Sequence, residues 1–84
     1  MSKRVAVISA ILEEPELCQV SFNNVISAFK GIVKGRMGIP LGEDNMAVVS
    51  VVVIGELDEI NNMTGKLGNI PHISVKTSIS KKEV

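Results

Sequence analysis

Aromatic side chains are scarce in this sequence. Tryptophan and tyrosine are absent, and Phe22 and Phe29 are the two phenylalanines. Proteins that hold single-stranded nucleic acids stack bases on aromatic rings, and proteins that hold duplexes present a positive surface to the phosphates. Here nine basic and nine acidic residues cancel to a net charge of zero. The composition therefore argues against nucleic acid as a direct partner.

Cysteine and histidine are rare as well, with Cys18 and His72 as the single representatives. One cysteine excludes a disulfide within the chain and leaves too few ligands for a cysteine-based zinc or iron-sulfur site. Two chains together would offer two of each residue. However, Cys18 is predicted near the start of a helix and His72 at the start of a strand. We therefore expect no metal site, no cofactor and a reducing, cytoplasmic location.

The sequence also lacks a membrane span, because no apolar run reaches the roughly 20 residues that cross a bilayer. Its first twelve residues, MSKRVAVISAIL, place a basic pair before an apolar stretch, as a secretory signal does. Glu13, Glu14 and Pro15 follow at once, without a small-residue cleavage site. We interpret this segment as a strand and expect no membrane partner.

One segment is apolar almost throughout. In residues 47–54, AVVSVVVI, Ser50 is the one polar residue. A strand that is apolar on both pleat faces must be covered on both sides. A chain of 84 residues has little material for two covers and lies near the lower size limit of self-sufficient domains. We therefore expect another copy of the chain to supply the second cover.

Two segments show the spacing of amphipathic helices. The first begins at Pro15, which is favoured at a first helical position, and is predicted to end near Gly31. The second runs from about residue 57 to 67, with Gly68 predicted as its left-handed cap. The apolar stripes are Cys18, Phe22, Val25, Phe29 and Ile32 in the first helix and Ile60, Met63 and Leu67 in the second.

Four segments have the character of strands. Residues 4–12 and 46–54 are the most apolar and suit the centre of a sheet. Residues 32–37 carry charge and residues 72–80 alternate between apolar and polar, so both suit edges. The βαββαβ order predicts a ferredoxin-like α+β fold, ACT-like in type, with a four-stranded antiparallel sheet in the order 4-1-3-2 and both helices on one face.

The connections between these elements follow from turn residues. Residues 39–45 are predicted to form a hairpin loop, Gly55 to break the third strand, and residues 80–84 to fray. Residues 1–84 are then one domain whose second sheet face is apolar and uncovered. Such a face predicts a dimer or a larger oligomer.

Short motifs were weighed against other classes of function. GKLG at residues 65–68 matches the backbone clamp of KH domains, but it is better interpreted as a helix end. Neither a P-loop nor a dinucleotide fingerprint occurs. The acidic residues at both helix starts lie where carboxylates stabilise the helix dipole, so they do not indicate acid-base catalysis. We expect no enzymatic activity.

The best candidate for ligand binding is the segment Arg36, Met37, Gly38, Ile39 and Pro40. An arginine on an edge strand, next to a glycine that admits close approach and a proline that stiffens a turn, forms a corner suited to an anion. From this position we expect that Arg36→Ala barely changes stability. Gly38→Val is expected to be costly, because a turn glycine can occupy dihedral angles closed to valine.

Four stretches, RMGIP at 36–40, VSVVV at 49–53, TGKLG at 64–68 and SVK at 74–76, give the chain its family resemblance. Over nearly its whole length it resembles the family of iron-only hydrogenase system regulators. The resemblance implies an ACT-like fold related to the effector-binding domain of the nickel-responsive repressor, assembled as dimers or larger oligomers. It also implies a role in regulating transcription linked to hydrogenase metabolism in anaerobic bacteria.

Two departures limit what carries over from related domains. ACT domains commonly bind amino acids near a turn with a glycine where this chain has Glu16, which places amino-acid binding in doubt. The nickel-responsive domain uses several histidines, and this chain has one. The prediction is thus a regulatory module that binds a small effector or a partner protein across an oligomer interface.

The alternative is a structural adaptor without a ligand. An acylphosphatase-like enzyme on this fold would need an arginine in residues 12–17. This segment contains glutamates and no arginine, which argues against that enzyme.

Overall fold

The computed structural model describes residues 2–84, which form a four-stranded antiparallel sheet with two helices packed on one face. The strands lie in the order β2-β3-β1-β4, so the predicted ferredoxin-like α+β topology is confirmed. Neither helix is long and apolar enough to cross a membrane. The elements are β1 (Arg4–Glu13), α1 (Pro15–Ala28), β2 (Val33–Leu41), β3 (Met46–Gly55), α2 (Leu57–Gly68) and β4 (Ile73–Glu83).

The core lies between the helices and the two central strands. Alternate residues of β1 and β3 face the helices in register, with Ile8 opposite Val51 and Ala10 opposite Val49. No core residue is more than 6% exposed. The strands contribute Ala6, Ile8, Ala10, Leu12, Val49, Val51 and Val53 to this core, and the helices contribute Cys18, Phe22, Ile26, Ile60, Met63 and Leu67.

The opposite face of the sheet carries no helix and stays apolar on three strands. Val7 pairs with Val52, and Ile11 pairs with Val48, which in turn pairs with Ile39. On β4 the same face is polar, with Ser74, Lys76 and Ser78 exposed. We call this surface the bare face; its apolar members are Val5, Val7, Ile11, Met37, Ile39, Leu41, Met46, Val48, Val52 and Ile54.

Both helices start as their sequences indicate. Pro15 occupies the first turn of α1, where its missing N–H needs no partner. Glu59 bonds back to the backbone N–H of Glu56 at 3.2 Å and closes the start of α2. The end of α2 was predicted wrongly, because Gly68 has no positive φ and the helix ends in a right-handed Asn69 whose N–H bonds to the Gly65 carbonyl at 3.1 Å.

Other boundaries differ from the sequence predictions because pairing extends the strands. Helix α1 ends at Ala28 rather than near Gly31. Gly55 ends β3, as predicted, and pairs with Arg4 in a place where an added Cβ would lie 3.1 Å from the Ile32 side chain. The predicted frayed tail is ordered instead. β4 continues to Glu83, which pairs with Arg4 after a bulge.

Candidate functional site

The predicted ligand segment lies within an edge strand rather than in a hairpin loop. β2 runs on to Leu41, so Pro40 pairs with Ala47 and the connecting loop is confined to residues 42–45. An edge strand tolerates proline because one side of its backbone needs no partner. The strand's pleat then divides the segment between the two faces of the sheet.

Met37 and Ile39 point to the bare face, where their side chains are 64% and 52% exposed. Arg36 and Gly38 lie on the helix side of the strand. The Arg36 side chain reaches helix α1, and a Cβ added to Gly38 would lie 3.9 Å from the Val49 side chain. The structure therefore does not bring residues 36–40 together as one patch.

Arg36 has contacts within the chain. One Nη atom donates a hydrogen bond to Asn23 Oδ1 at 3.0 Å, and the guanidinium carbon lies 5.6 Å from the centroid of the Phe22 ring. Asn23 and Phe22 are adjacent on α1, so the arginine ties the edge strand to this helix. Arg36 remains exposed, and the hydrogen bond engages one of its five N–H donors.

We therefore expect Arg36→Ala to lower the free energy of unfolding by about 1 kcal/mol, the usual sum for one exposed hydrogen bond and one cation-π contact. Gly38→Val is expected to change it by less than about 0.5 kcal/mol, since surface positions without special geometry rarely cost more. Urea unfolding of both variants measures the two values.

This order reverses the expectation from sequence. The assumption of a strained turn at Gly38 is wrong, because the residue lies in a strand without a positive φ and has space beside it. A larger loss in Gly38→Val than in Arg36→Ala would contradict the contacts described for Arg36.

Cys18 is buried under the turn between β1 and α1. Its Sγ lies 3.7 Å from the carbonyl oxygen of Glu13, at a distance suited to a weak S–H donor. Burial, and secondarily the negative charge of Glu16, raises the pKa of the Cys18 thiol above its ordinary value. A buried thiol kept protonated is a poor nucleophile and a poor metal ligand. His72 lies on the surface, with Nδ1 3.6 Å from Glu14 Oε2.

Sequence reasoning missed a cluster of backbone strain at one end of the sheet. Glu14, Asn45 and His72 have φ values of 51°, 52° and 75°, the left-handed region that non-glycine residues rarely adopt. Two backbone hydrogen bonds join their segments. The N–H of Glu13 donates to the carbonyl of His72 at 2.8 Å, and the N–H of Glu14 donates to the carbonyl of Asn45 at 2.9 Å. Asn45 follows a run of turn formers, which was the one available signal.

The described residues show no other features of a small-molecule site. Residues 2–84 contain no enclosed pocket and no group of three His, Cys, Asp or Glu side chains arranged to hold a metal ion. Three surface features remain. They are the bare face, the contact of Arg36 with helix α1, and the three left-handed residues Glu14, Asn45 and His72.

Known proteins resemble this chain in sequence and in structure. The sequence model of the TM1266-like family, described as "Iron-only hydrogenase system regulator, putative", matches residues 4–77. The solved structure of the uncharacterized protein TM1266 from Thermotoga maritima has 32% sequence identity and a TM-score of 0.89, over 94% of this chain and 99% of that chain. No curated protein matches the sequence.

A second similar structure is LarC2, the C-terminal domain of a cyclometallase involved in the synthesis of the NPN cofactor of lactate racemase. It has 15% identity and a TM-score of 0.47, over 96% of this chain and 58% of that chain.

Proposed function

This chain belongs to the TM1266-like family of iron-only hydrogenase system regulators, and we propose that it is a non-enzymatic regulatory module that binds a small effector or a partner protein across an interface between copies of itself. The family predicted from RMGIP and TGKLG is thereby confirmed. Effector binding and assembly are the parts of the function that we propose.

The observation that carries the proposal is the division of β2 between two surfaces. Met37 and Ile39 extend the bare face, while Arg36 lies on the other side of the same strand beside α1. β2 is also an edge strand, so its free margin borders both surfaces. A ligand at this margin would contact Arg36 of one copy together with whatever covers Met37 and Ile39.

The chemistry of Arg36 favours an anionic group on that ligand. Its bond to Asn23 orients the guanidinium and leaves further N–H donors for a carboxylate or a phosphate. Arginine binds such groups through two parallel hydrogen bonds. The guanidinium carbon also lies 5.6 Å from the centroid of the Phe22 ring, and a side chain positioned in this way loses less entropy on binding.

Any regulation of transcription would reach DNA through a partner, because the net charge of zero gives no attraction to phosphates. Duplex binding by the isolated chain, with an affinity that falls steeply as salt is added, would contradict this part of the proposal.

A thermal-shift screen tests effector binding. The panel contains amino acids, nucleotides, metal ions and flavin-like metabolites. A ligand at 100 times its dissociation constant adds about 2.7 kcal/mol to stability. For a domain of this size, that stabilisation raises the melting temperature by roughly 10 °C or more.

Arg36→Lys should reduce the shift, because lysine cannot form the paired hydrogen bonds. Lys34→Ala, which removes another exposed cation of β2, is the matched control and should keep it. If no compound shifts the wild type, the structural adaptor becomes the better account. The bond between Arg36 and Asn23 would then serve stability alone.

A further inference from the structure

We propose that the bare face is covered by a second copy of this chain, packed face to face about a two-fold axis that runs parallel to the strands near β3. This deepens the proposed function and rests on it, since an effector site across an interface needs a second copy.

The composition of the bare face is that of an interface core with a polar rim. Six of the large exposed hydrophobic residues lie on it, with exposures between 37% and 64%, and all six belong to β1, β2 and β3. Charged side chains lie at its margins: Lys76 on the outer strand β4 and Glu13 at the end of β1. Protein interfaces typically keep lysine and glutamate out of the centre.

The size of the face suits a stable dimer. The three strands that overlap in such a dimer, spaced about 4.8 Å apart and each about ten residues long at about 3.3 Å per residue, cover about 480 Å² in flat projection. Side-chain relief makes the accessible area larger. A standard interface buries about 800 Å² per partner. With its side-chain relief, the overlap of three strands therefore approaches the lower end of the standard range, about 600 Å² per partner, without help from the helices.

The centre of the face favours a copy of itself as the occupant. Ser9 and Ser50 pair directly across β1 and β3, with apolar residues in the rows above and below them. An apolar cover such as a lipid chain would leave these hydroxyls without partners, which is costly. A two-fold axis along β3 lays Ser50 of one copy on Ser50 of the other, and each Ser50 stays beside the Ser9 of its own copy. Each hydroxyl can then both donate and accept.

Strand order and charge decide the direction of the axis. An axis across the strands at this row would lay β4 on β4 and place two Lys76 side chains face to face, which is unfavourable. An axis parallel to the strands near β3 lays β1 of one copy over β2 of the other and leaves β4 outside the overlap. Ile39 then lies over Ile11 of the second copy, and the long Met37 over the small Ser9.

Charged substitutions test the face. Ile39→Glu is expected to weaken self-association about thirtyfold or more, because its carboxylate would be buried against Ile11 of the second copy, and Ile11→Glu likewise. Val20→Glu is the matched control, because Val20 is 72% exposed on α1 and lies outside the face. It should leave association within about twofold of wild type. Sedimentation equilibrium measures each dissociation constant, and far-UV circular dichroism verifies folding.

A paired variant tests the axis. Ile39→Lys combined with Ile11→Glu places opposite charges over each other about the parallel axis and should associate at least about tenfold more tightly than either single variant. About the axis across the strands, residue 39 lies over Gly35 and residue 11 over Val7 of the second copy, so opposite charges do not meet and no such recovery follows. Recovery supports the proposal, and its absence when both single variants are folded monomers overturns the proposed axis.

If Ile39→Glu does not fold, the dimer is tested instead by measuring the melting temperature of the wild type at several protein concentrations. A value that rises with protein concentration supports the dimer, and a constant value with a monomer mass overturns it. The outcome is separable from the effector proposal. A dimer with no ligand response retains this inference and replaces the effector by the adaptor. A folded monomer that still responds to a ligand overturns this inference and leaves the effector.

Discussion

Phe22→Ala is expected to lower the free energy of unfolding by about 4 kcal/mol, within the range of about 3 to 5 kcal/mol for large-to-small changes of buried aromatics. Phe22 is 1% exposed and is the largest fully buried side chain of the core. Native domains have total stabilities of about 5 to 15 kcal/mol, so this loss removes a large fraction of the total. Urea unfolding monitored by circular dichroism measures the loss.

Phe29→Ala is the matched control for this loss. Phe29 follows the end of α1, is only partly buried, and carries Lys66 at 5.6 Å from its ring centroid. Phe29→Ala should lower the free energy of unfolding clearly less than Phe22→Ala, because the Phe29 ring buries less apolar surface on folding. Equal losses would show that the core is not centred on the α1 stripe as described.

Substitution at two adjacent valines of β3 should give opposite results. Val51 is 0% exposed and faces the helices, whereas Val52 is 37% exposed on the bare face. Val51→Asp places a carboxylate without a partner in the core and is expected to cost about 4 kcal/mol or more, enough to prevent folding. Val52→Asp should leave the fold intact and abolish self-association, because it puts charge at the centre of the proposed interface.

Circular dichroism and light scattering of both variants make this comparison. An unfolded Val51→Asp next to a folded, monomeric Val52→Asp is the expected pair of results. A Val52→Asp variant that stays fully associated would show that the bare face is not the interface. A folded Val51→Asp variant would contradict the assignment of the two faces.

The topology could be predicted from the sequence because two periodicities agree with it. The alternating residues of β3 separate into Val49, Val51 and Val53, which are buried, and a second set that includes the exposed Val52. The α1 stripe places Cys18 and Phe22 in the core, as its spacing predicts. Charge and alternation likewise placed β2 and β4 at the edges.

The remaining errors arise where partners distant in sequence decide the local structure. Residues 80–83 were predicted to fray, but pairing with β1 orders them, and no local signal shows such a partner. Pro40 suggested a loop, although an edge strand accommodates it. Gly68 suggested a left-handed cap, yet α2 ends without one.

The candidate site could be located only in part for the same reason. The sequence identified residues 36–40, but not the pleat that divides them between two faces. The bond between Arg36 and Asn23 joins residues that are 13 positions apart, and neither residue alone indicates it. The left-handed φ values of Glu14 and His72 occur where the end of β1 meets the start of β4. No local sequence signal indicates that these two segments are in contact.

We propose that this chain works as an assembly built on the bare face, and the mass of the unmodified chain in solution tests this proposal most directly. Light scattering at tens of micromolar, followed through a dilution series, is the measurement. The account predicts at least twice the 9.0 kDa mass of one chain, falling on dilution toward a single chain mass. A constant 9.0 kDa across the whole series, with no lipid or ligand bound to the sheet, would contradict it.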